Sequence, residues 1–340
     1  MVNLIFKFLS GVGVFLFGIY TIDNAFGDAI KVPPKIEKYI AKPAVSFALG
    51  LVSAAVTQSS SAINSILTTL RDKERIKEKA TLFAVAGSNV GTTATAYLAV
   101  MQNASLGAFF ACLIFFSTMA LMLIKDEKIK RAGFLVGGFS LIFVSFSIIG
   151  KTVPELVNIL NLDFLTAQNP FIPFFISLFL TALCQSSSLI SVIIISFAKL
   201  NVLSLSNAIF MIMAANIGTC STIFLVSVGK SRKSFRVALF NFLFNLIPTA
   251  VFILMYYSKL LNWFFIINVA MDTKIALFHT IFNIGACIMI CPFIGWFSKD
   301  TVYDNTDEYE KITYKKTVRK KCIFGRKQYV KKRYLNLSDN

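Results

Sequence analysis

Long apolar segments separated by short polar stretches make up most of the chain. An α-helix needs about 20 apolar residues to cross the hydrocarbon layer of a membrane. Segments of this kind are found at 4–26, 80–101, 106–124, 132–150, 208–229, 235–257 and 274–297. The pattern therefore predicts an all-α polytopic membrane protein with about seven transmembrane helices.

Two further apolar segments, 43–70 and 170–197, differ from these spans. Each begins at a proline and is interrupted midway by a run of hydroxyl residues. Such an interruption predicts two short half-helices joined by a polar turn. We expect each segment to be a re-entrant hairpin, which enters and leaves the membrane on one side.

The composition excludes an ordinary soluble protein. Hydrophobic residues make up 56% of the chain and charged residues 15%, whereas soluble domains carry about 25% charged residues. The net charge of +17 could suggest a nucleic-acid partner. The positions of the basic residues favour a different explanation, because Lys and Arg accumulate in the cytoplasmic loops of membrane proteins.

The basic residues predict the orientation of the chain. The segments 27–42, 71–79, 125–131, 230–236 and 299–340 hold 29 of the 34 Lys and Arg residues. Placing all five in the cytoplasm requires a hairpin at 43–70, unless this segment crosses the membrane twice. The count supports seven crossings, two re-entrant hairpins, an N-terminus outside and a C-terminus inside. The topology then explains the positive charge, and no nucleic-acid partner is expected.

An internal repeat relates the two halves of the chain. A shift of 127 residues places Gln58-Ser-Ser-Ser61 on Gln185-Ser-Ser-Ser188 and Asn89-Val-Gly-Thr92 on Asn216-Ile-Gly-Thr219. One repeat contains three full crossings, and this odd number predicts that the second copy is inverted in the membrane. The predicted divisions are repeat 1 (1–131), inverted repeat 2 (132–258), an extra transmembrane helix (259–298) and a basic cytoplasmic tail (299–340). A shorter echo relates 238–245 to 276–283.

The paired QSSS turns carry the candidate chemistry. A turn at the start of a half-helix offers backbone N–H groups, the positive end of the helix dipole and hydroxyl donors, which suit an oxyanion such as phosphate or sulfate. The amide oxygen of glutamine and the carbonyls at a helix break suit sodium. In the Asn-x-Gly-Thr segments, Gly87, Gly91 and Gly218 are expected to permit local unwinding. Helix packing is the simpler interpretation of one hydroxyl run, but not of two at corresponding positions.

The candidate site contains no charged residue. No Lys, Arg, Asp or Glu lies in 80–101, in 208–229 or in the apolar part of either hairpin. An oxyanion would enter a medium of low dielectric constant without a fixed countercharge, which is costly unless cations enter with it. Co-bound sodium is therefore the hypothesis, with sodium as a co-substrate and no cofactor.

At these motifs the chain resembles the sodium/phosphate cotransporter family, type II, over roughly residues 8–297. The resemblance implies sodium-driven phosphate import by a bacterial member without the regulator-like C-terminal domain, since the 42 residues after Ser298 are too few for one. It implies a substrate site at Gln58–Ser61 and Gln185–Ser188, with Asn89–Thr93 and Asn216–Thr219 nearby. We predict that the phosphate residues are Ser59, Ser60, Ser61, Ser186, Ser187 and Ser188, and that the sodium residues are Gln58, Gln185, Asn89, Thr92, Thr93, Asn216 and Thr219. In the second copy, Cys220 replaces a threonine, which puts symmetrical ion ligation in doubt.

Several alternatives remain open. Transport of another oxyanion such as sulfate or arsenate, export of phosphate, and a non-transporting phosphate sensor are each compatible with the motifs. The tail is interpreted as a membrane anchor that binds anionic lipid. An enzyme is not expected, because the spans offer one histidine (His279, interpreted as a neutral polar helix contact), no paired carboxylates and no nucleophile with a base. No transition metal is expected, and the sequence does not indicate an oligomeric state.

Overall fold

A computed structural model describes residues 2–26, 42–102, 104–159 and 169–298. All regular secondary structure in these residues is helical. They belong to one compact unit that extends over Met1–Lys299. The predicted tail and most of the first cytoplasmic loop, 27–41, lie outside the described residues.

The described residues of the first half form six helices, which follow the predicted order. They are α1 (Val2–Phe26), α2 (Pro43–Thr57), α3 (Ser60–Asp72), α4 (Glu78–Gly91), α5 (Thr93–Met101) and α6 (Ala104–Leu123). The predicted hairpin 43–70 is the pair α2 and α3, which are separated by a short turn at Gln58 and Ser59.

The second half repeats this order. It contains α7 (Glu127–Ile159), α8 (Phe171–Cys184), α9 (Ser187–Lys199), α10 (Leu205–Ser227) and α11 (Arg232–Tyr257). The hairpin predicted at 170–197 is the pair α8 and α9. Beyond α11 follow α12 (Asn262–Phe265), α13 (Met271–Ile290), a 3-10 turn (Cys291–Phe293) and α14 (Ile294–Phe297).

Within the described ranges, six segments are long and apolar enough to cross a membrane. They are Val2–Ile22, Ser105–Leu123, Glu127–Val157, Leu205–Ser227, Arg232–Tyr257 and Met271–Phe297. Large apolar side chains on their outer faces are exposed, for example Phe116 at 65% and Met122 at 77%. This surface suits lipid rather than water, and the protein is a multi-pass membrane protein.

The predicted span 80–101 is not one continuous helix. It consists of α4 and α5, with 14 and 9 residues, which meet at Thr92. The hydroxyls of Thr92 and Thr93 bond back to the carbonyls of Ser88 (2.9 Å) and Val90 (2.8 Å). Such bonds compete with the helical ladder and bend helices, but Thr219 makes the same bond to the carbonyl of Ala215, at 2.9 Å. The corresponding α10 continues without interruption through Thr219.

Glycines allow the first helix of each hairpin to pack closely on the next long segment. The helix α2 packs on α4, and α8 packs on α10. A Cβ atom on Gly87 would lie 2.0 Å from the carbonyl oxygen of Phe47, and one on Gly218 would lie 2.7 Å from that of Leu178. The expectation of unwinding is wrong for both, because Gly87 and Gly218 lie inside continuous helices. Their function is close backbone approach.

The loops at one end of the molecule connect the two halves. The side chain of Lys230 donates to Thr69 Oγ1 at 2.8 Å, and the backbone N–H of Ser231 donates to Asp72 at 3.0 Å. These contacts bring together the segments 71–79 and 230–236, which are both predicted to lie on the cytoplasmic side. Elsewhere, Lys199 at the end of α9 donates to the carbonyl of Ala99 at the end of α5, at 2.8 Å.

Candidate functional site

The two QSSS turns have the same local conformation. Gln58 (φ 56°, ψ 21°) and Gln185 (φ 55°, ψ 26°) both adopt the left-handed conformation and end the first helix of their hairpins. Ser59 and Ser186 then cap the second helix, and each hydroxyl accepts a bond of 3.2 Å from the N–H three residues ahead. Serine is a favoured N-cap residue, so the local sequence accounts for the turn in both halves.

The turns contact each other through a reciprocal pair of hydrogen bonds. Ser61 Oγ donates to the carbonyl of Gln185, and Ser188 Oγ donates to the carbonyl of Gln58, both at 3.0 Å. An exchange of the same bond in both directions is typical of two equivalent surfaces related by a twofold axis. Residues 124 and 130 positions apart in the chain thus meet as equivalent partners.

The middle serines of the two turns lie beside this contact. Ser60 and Ser187 are buried, and their hydroxyls form no hydrogen bond with any residue in the described part of the chain. They are also the first residues of α3 and α9, where the backbone N–H groups have no partner within the helix. The hydroxyls and N–H groups of these two residues are therefore available as donors to an anion.

Buried polar residues of the Asn-x-Gly-Thr segments lie on α4, α5 and α10. All are less than 9% exposed, and most of their hydrogen bonds stay within their own helix: Asn89, Thr92, Thr93, Asn216 and Thr219. One contact joins the first segment to the second turn, since Thr95 Oγ1 lies 3.3 Å from Ser188 Oγ. The structure therefore brings α5 next to α9.

The two glutamines differ in environment despite their matching backbones. Gln58 is 1% exposed and its Nε2 donates to the carbonyl of Ala55. Its Oε1 is buried and has no partner among the described residues. Gln185 is exposed. The candidate site is thus symmetrical in its backbone and asymmetrical in the accessibility of its side chains.

Sequence reasoning missed two asparagines of α11. Asn89 Nδ2 donates to Asn241 Oδ1 at 2.9 Å, and Asn241 Nδ2 donates to Cys220 Sγ at 3.2 Å. Asn245, one turn further along α11, also donates to Cys220, at 3.5 Å. The echo between 238–245 and 276–283 was the signal that could have pointed to both.

His279 corresponds to Asn241 in that echo and lies on α13. It is fully buried, and neither ring nitrogen has a hydrogen-bond partner in the residues the structure describes. The interpretation as a polar helix contact is therefore wrong for this conformation, because the imidazole makes no such contact. The amide of Asn283 donates instead to the backbone carbonyl of His279, at 3.0 Å.

The comparison with known families agrees with this architecture. The family described as Na+/Pi-cotransporter matches residues 5–151 and 157–294. This chain belongs to that family. The match includes both QSSS turns and both Asn-x-Gly-Thr segments, and this is a family of transporters.

Individual relatives are distant. "Uncharacterized protein YqeW" of Bacillus subtilis is 24% identical over 299 residues, which cover 86% of this chain and 94% of the relative. The "Putative inorganic phosphate export protein YjbB" of Salmonella typhimurium and that of Escherichia coli K12 are 23% and 22% identical. The match covers 84% of this chain but only 53% of each YjbB protein. No solved structure matches the chain.

Proposed function

We propose that this protein imports inorganic phosphate together with sodium by alternating access. One observation carries the proposal: the reciprocal bonds between Ser61 and Gln185 and between Ser188 and Gln58 join two equivalent turns. Family membership supports phosphate as the substrate. The joined turns would form one binding site between the repeats, which is the usual place in transporters with inverted repeats.

The serines of the turns are the proposed phosphate site. Two helix N-termini converge there, and each contributes N–H groups and a partial positive charge. Ser60 and Ser187 supply hydroxyls without another partner, whereas Ser61 and Ser188 are already bonded across the turn contact. We therefore assign direct phosphate contact first to Ser60 and Ser187.

Sodium is the proposed countercharge. The polar side chains around the turns carry no formal charge, and amide and hydroxyl oxygens are available from both repeats: Gln58, Gln185, Asn89, Asn216, Thr92, Thr93 and Thr219. Moving one negative charge inward against ~100 mV costs about 2.3 kcal/mol, and each sodium ion gains the same electrical energy. Two or more sodium ions for each phosphate would therefore drive import.

Export of phosphate is the second candidate. It is supported by the names of the YjbB relatives, which describe export. A site that alternates between two faces can carry its substrate in either direction, and the ion gradient decides which direction prevails. If the protein exports phosphate, an inward sodium gradient should not drive uptake of labelled phosphate. Labelled phosphate should instead leave preloaded vesicles under that gradient.

The decisive experiment measures labelled phosphate uptake into proteoliposomes, with an inward sodium gradient and with choline in its place. Ser187→Ala is compared with Ser196→Ala, because the Ser196 hydroxyl bonds only to Val192 of its own helix, at 2.8 Å. We expect sodium-dependent uptake by the wild type and by Ser196→Ala. We expect Ser187→Ala to raise the phosphate KM about 10-fold, the effect of a lost hydrogen bond to a charged ligand.

The outcomes separate the candidates. Uptake that is equal with sodium and choline would exclude sodium coupling. Stronger competition by sulfate or arsenate than by unlabelled phosphate would indicate another oxyanion. No flux in either direction, combined with a cellular response lost on deletion of 299–340, would indicate a sensor.

The proposed location is the cell inner membrane, with the N-terminus outside and the C-terminus in the cytoplasm. The accumulation of Lys and Arg in five loops supports this orientation. So does the direct contact between 71–79 and 230–236, two of those loops. Anionic lipid remains the proposed partner of the basic tail.

A further inference from the structure

We propose that α11 completes the sodium site. Asn241 acts as a positioning residue for Asn89, and Asn245 supplies its Oδ1 as a cation ligand. The inference rests on the proposed sodium coupling and extends the site to a helix outside the two motif pairs of the internal repeat.

Asn241 connects the Asn-x-Gly-Thr segments of both repeats. It is 1% exposed, and it accepts from Asn89 at 2.9 Å while donating to Cys220 Sγ at 3.2 Å. These two contacts define which end of the Asn241 amide faces each repeat. A leucine at this position would remove both contacts.

The contact with Asn241 also determines the orientation of Asn89. The Nδ2 of Asn89 donates to the carbonyl of Val85 and to Asn241 Oδ1, both at 2.9 Å. Both amide hydrogens are therefore used, and the amide oxygen of Asn89 is held on the opposite side. Since an amide group can otherwise rotate by half a turn, Asn241 ensures that Asn89 presents its oxygen rather than its nitrogen to a cation.

Asn245 has a buried oxygen that lacks a partner. The side chain is 0% exposed, and its Nδ2 donates to the carbonyl of Asn241 at 2.9 Å and to Cys220 Sγ at 3.5 Å. Its Oδ1 makes no hydrogen bond to the described residues. Buried polar atoms nearly always have partners, and oxygen atoms are the preferred ligands of hard cations. A sodium ion would satisfy this oxygen.

Cys220 gains a function in this arrangement. It occupies the place of Thr93 of the first repeat, is 1% exposed, and accepts from Asn241 and Asn245. Cys220 has no hydroxyl to offer a cation, but its thiol orients the side-chain amides of Asn241 and Asn245 on α11. In this proposal Asn245 is the cation ligand and Asn241 is the positioning residue. The departure from symmetry thus adds an ion contact on α11 to those proposed on α10.

The experiment compares Asn245→Leu with Thr249→Val in proteoliposomes. Thr249 is a suitable control because it lies one turn further on α11, is buried, and bonds only to the carbonyl of Asn245, at 2.8 Å. Two quantities are measured: the sodium concentration that gives half-maximal uptake at saturating phosphate, and the phosphate KM at saturating sodium. Purified protein is also heated in sodium and in choline to measure the shift of the unfolding temperature caused by sodium alone.

Loss of one sodium ligand is expected to raise the half-saturating sodium concentration of Asn245→Leu about 10-fold and to leave the phosphate KM within about 2-fold. The sodium-induced shift in unfolding temperature should shrink in this variant and persist in Thr249→Val. Asn241→Leu should give the same selective loss. Should Asn245→Leu fail to fold, Asn245→Asp provides the second test, because a carboxylate ligand should lower the half-saturating sodium concentration.

The results distinguish this inference from the proposed function. A wild type without sodium dependence would refute the sodium coupling itself. A sodium-dependent wild type with equal values for Asn245→Leu and Thr249→Val would overturn only the assignment of Asn245. Equal increases in the half-saturating sodium concentration and the phosphate KM would also overturn it, because they would indicate a general structural defect.

Discussion

The Oγ of Ser61 donates a hydrogen bond of 3.0 Å to the backbone carbonyl of Gln185. Each residue belongs to a QSSS turn, and the mirror bond joins Ser188 to Gln58. The third serine of each motif is therefore occupied in holding the two turns together. This leaves the middle serine of each motif as the hydroxyl available to a ligand.

Removing this turn-to-turn bond should destabilise the protein. Ser61→Ala would leave the Gln185 carbonyl without its donor and should lower the free energy of unfolding by about 1 kcal/mol. This value lies between ~0.6 kcal/mol, the average for a side-chain hydrogen bond in a membrane protein, and the larger cost of an unpaired buried polar group. Ser65→Ala is the matched control, because the Ser65 hydroxyl bonds only to Ser61 of its own helix, at 2.7 Å. The free energy of unfolding of both variants is measured in mixed detergent micelles. Equal losses would contradict the prediction that the bond between the two turns stabilises the protein more than a bond within one helix does.

Close approach of α2 and α4 makes Gly87 intolerant of any side chain. A Cβ atom there would lie 2.0 Å from the Phe47 carbonyl oxygen, whereas one on Gly13 would have no heavy atom within 4 Å. We expect Gly87→Ala to cost about 3 kcal/mol or more through overpacking. Gly13→Ala should be neutral. The yield of monodisperse protein and its unfolding temperature report the difference, and similar values for the two variants would refute the close contact.

A buried carboxylate links the first hairpin to α11. Glu78 is 1% exposed and lies 3.4 Å from Arg71 and 2.9 Å from Arg236. Glu78→Gln should destabilise the protein by about 3 kcal/mol, because two guanidinium groups would lose their counterion. Glu127→Gln removes an exposed ion pair with Lys130 and should cost less than about 1 kcal/mol. Chemical denaturation of both variants measures this difference, and a Glu78→Gln value no larger than that of Glu127→Gln would contradict it.

Acid should weaken the contact between 71–79 and 230–236. Hydrogen bonds from Ser231 lower the pKa of Asp72, and the hydrogen bond and charge of Lys233 lower the pKa of Glu74. A carboxyl whose pKa is lower in the folded state stabilises the protein above its unfolded pKa, and this contribution disappears as the pH falls through the folded pKa.

Stability of the wild type should therefore decline from about pH 5 downwards, and Asp72→Asn should decline less steeply. The unfolding temperature between pH 7 and pH 3 measures the slope. Glu155→Gln, at an exposed position on α7, is the control and should retain the wild-type slope. An Asp72→Asn slope as steep as that of the wild type would show that Asp72 does not contribute to this dependence.

Much of the fold follows from local patterns. The lengths of the apolar segments predicted the long helices, and the hydroxyl runs predicted breaks near Gln58 and Gln185. Both patterns act through neighbouring residues, since helix length depends on consecutive apolar positions and an N-cap depends on one serine and the next turn. The interruption at Thr92 directly follows Gly91, where unwinding was expected, whereas the matching Gly218 lies in a continuous helix. The same local motif therefore does not decide by itself whether a helix is interrupted.

Apolar segment lengths and exact recurrence are enough to predict a helical membrane protein with two copies of one motif pair, because both can be read without knowing which residues meet. The partner of each polar group depends on how the two halves pack. Ser61 meets Gln185 across 124 residues, and Asn89 meets Asn241 across 152. Hydrogen bonds depend on distance and direction in space, and packing of the two halves sets both. Gly87, where unwinding was expected, lies instead at a close contact between two helices, because the packing of α2 on α4 leaves no room for a side chain there.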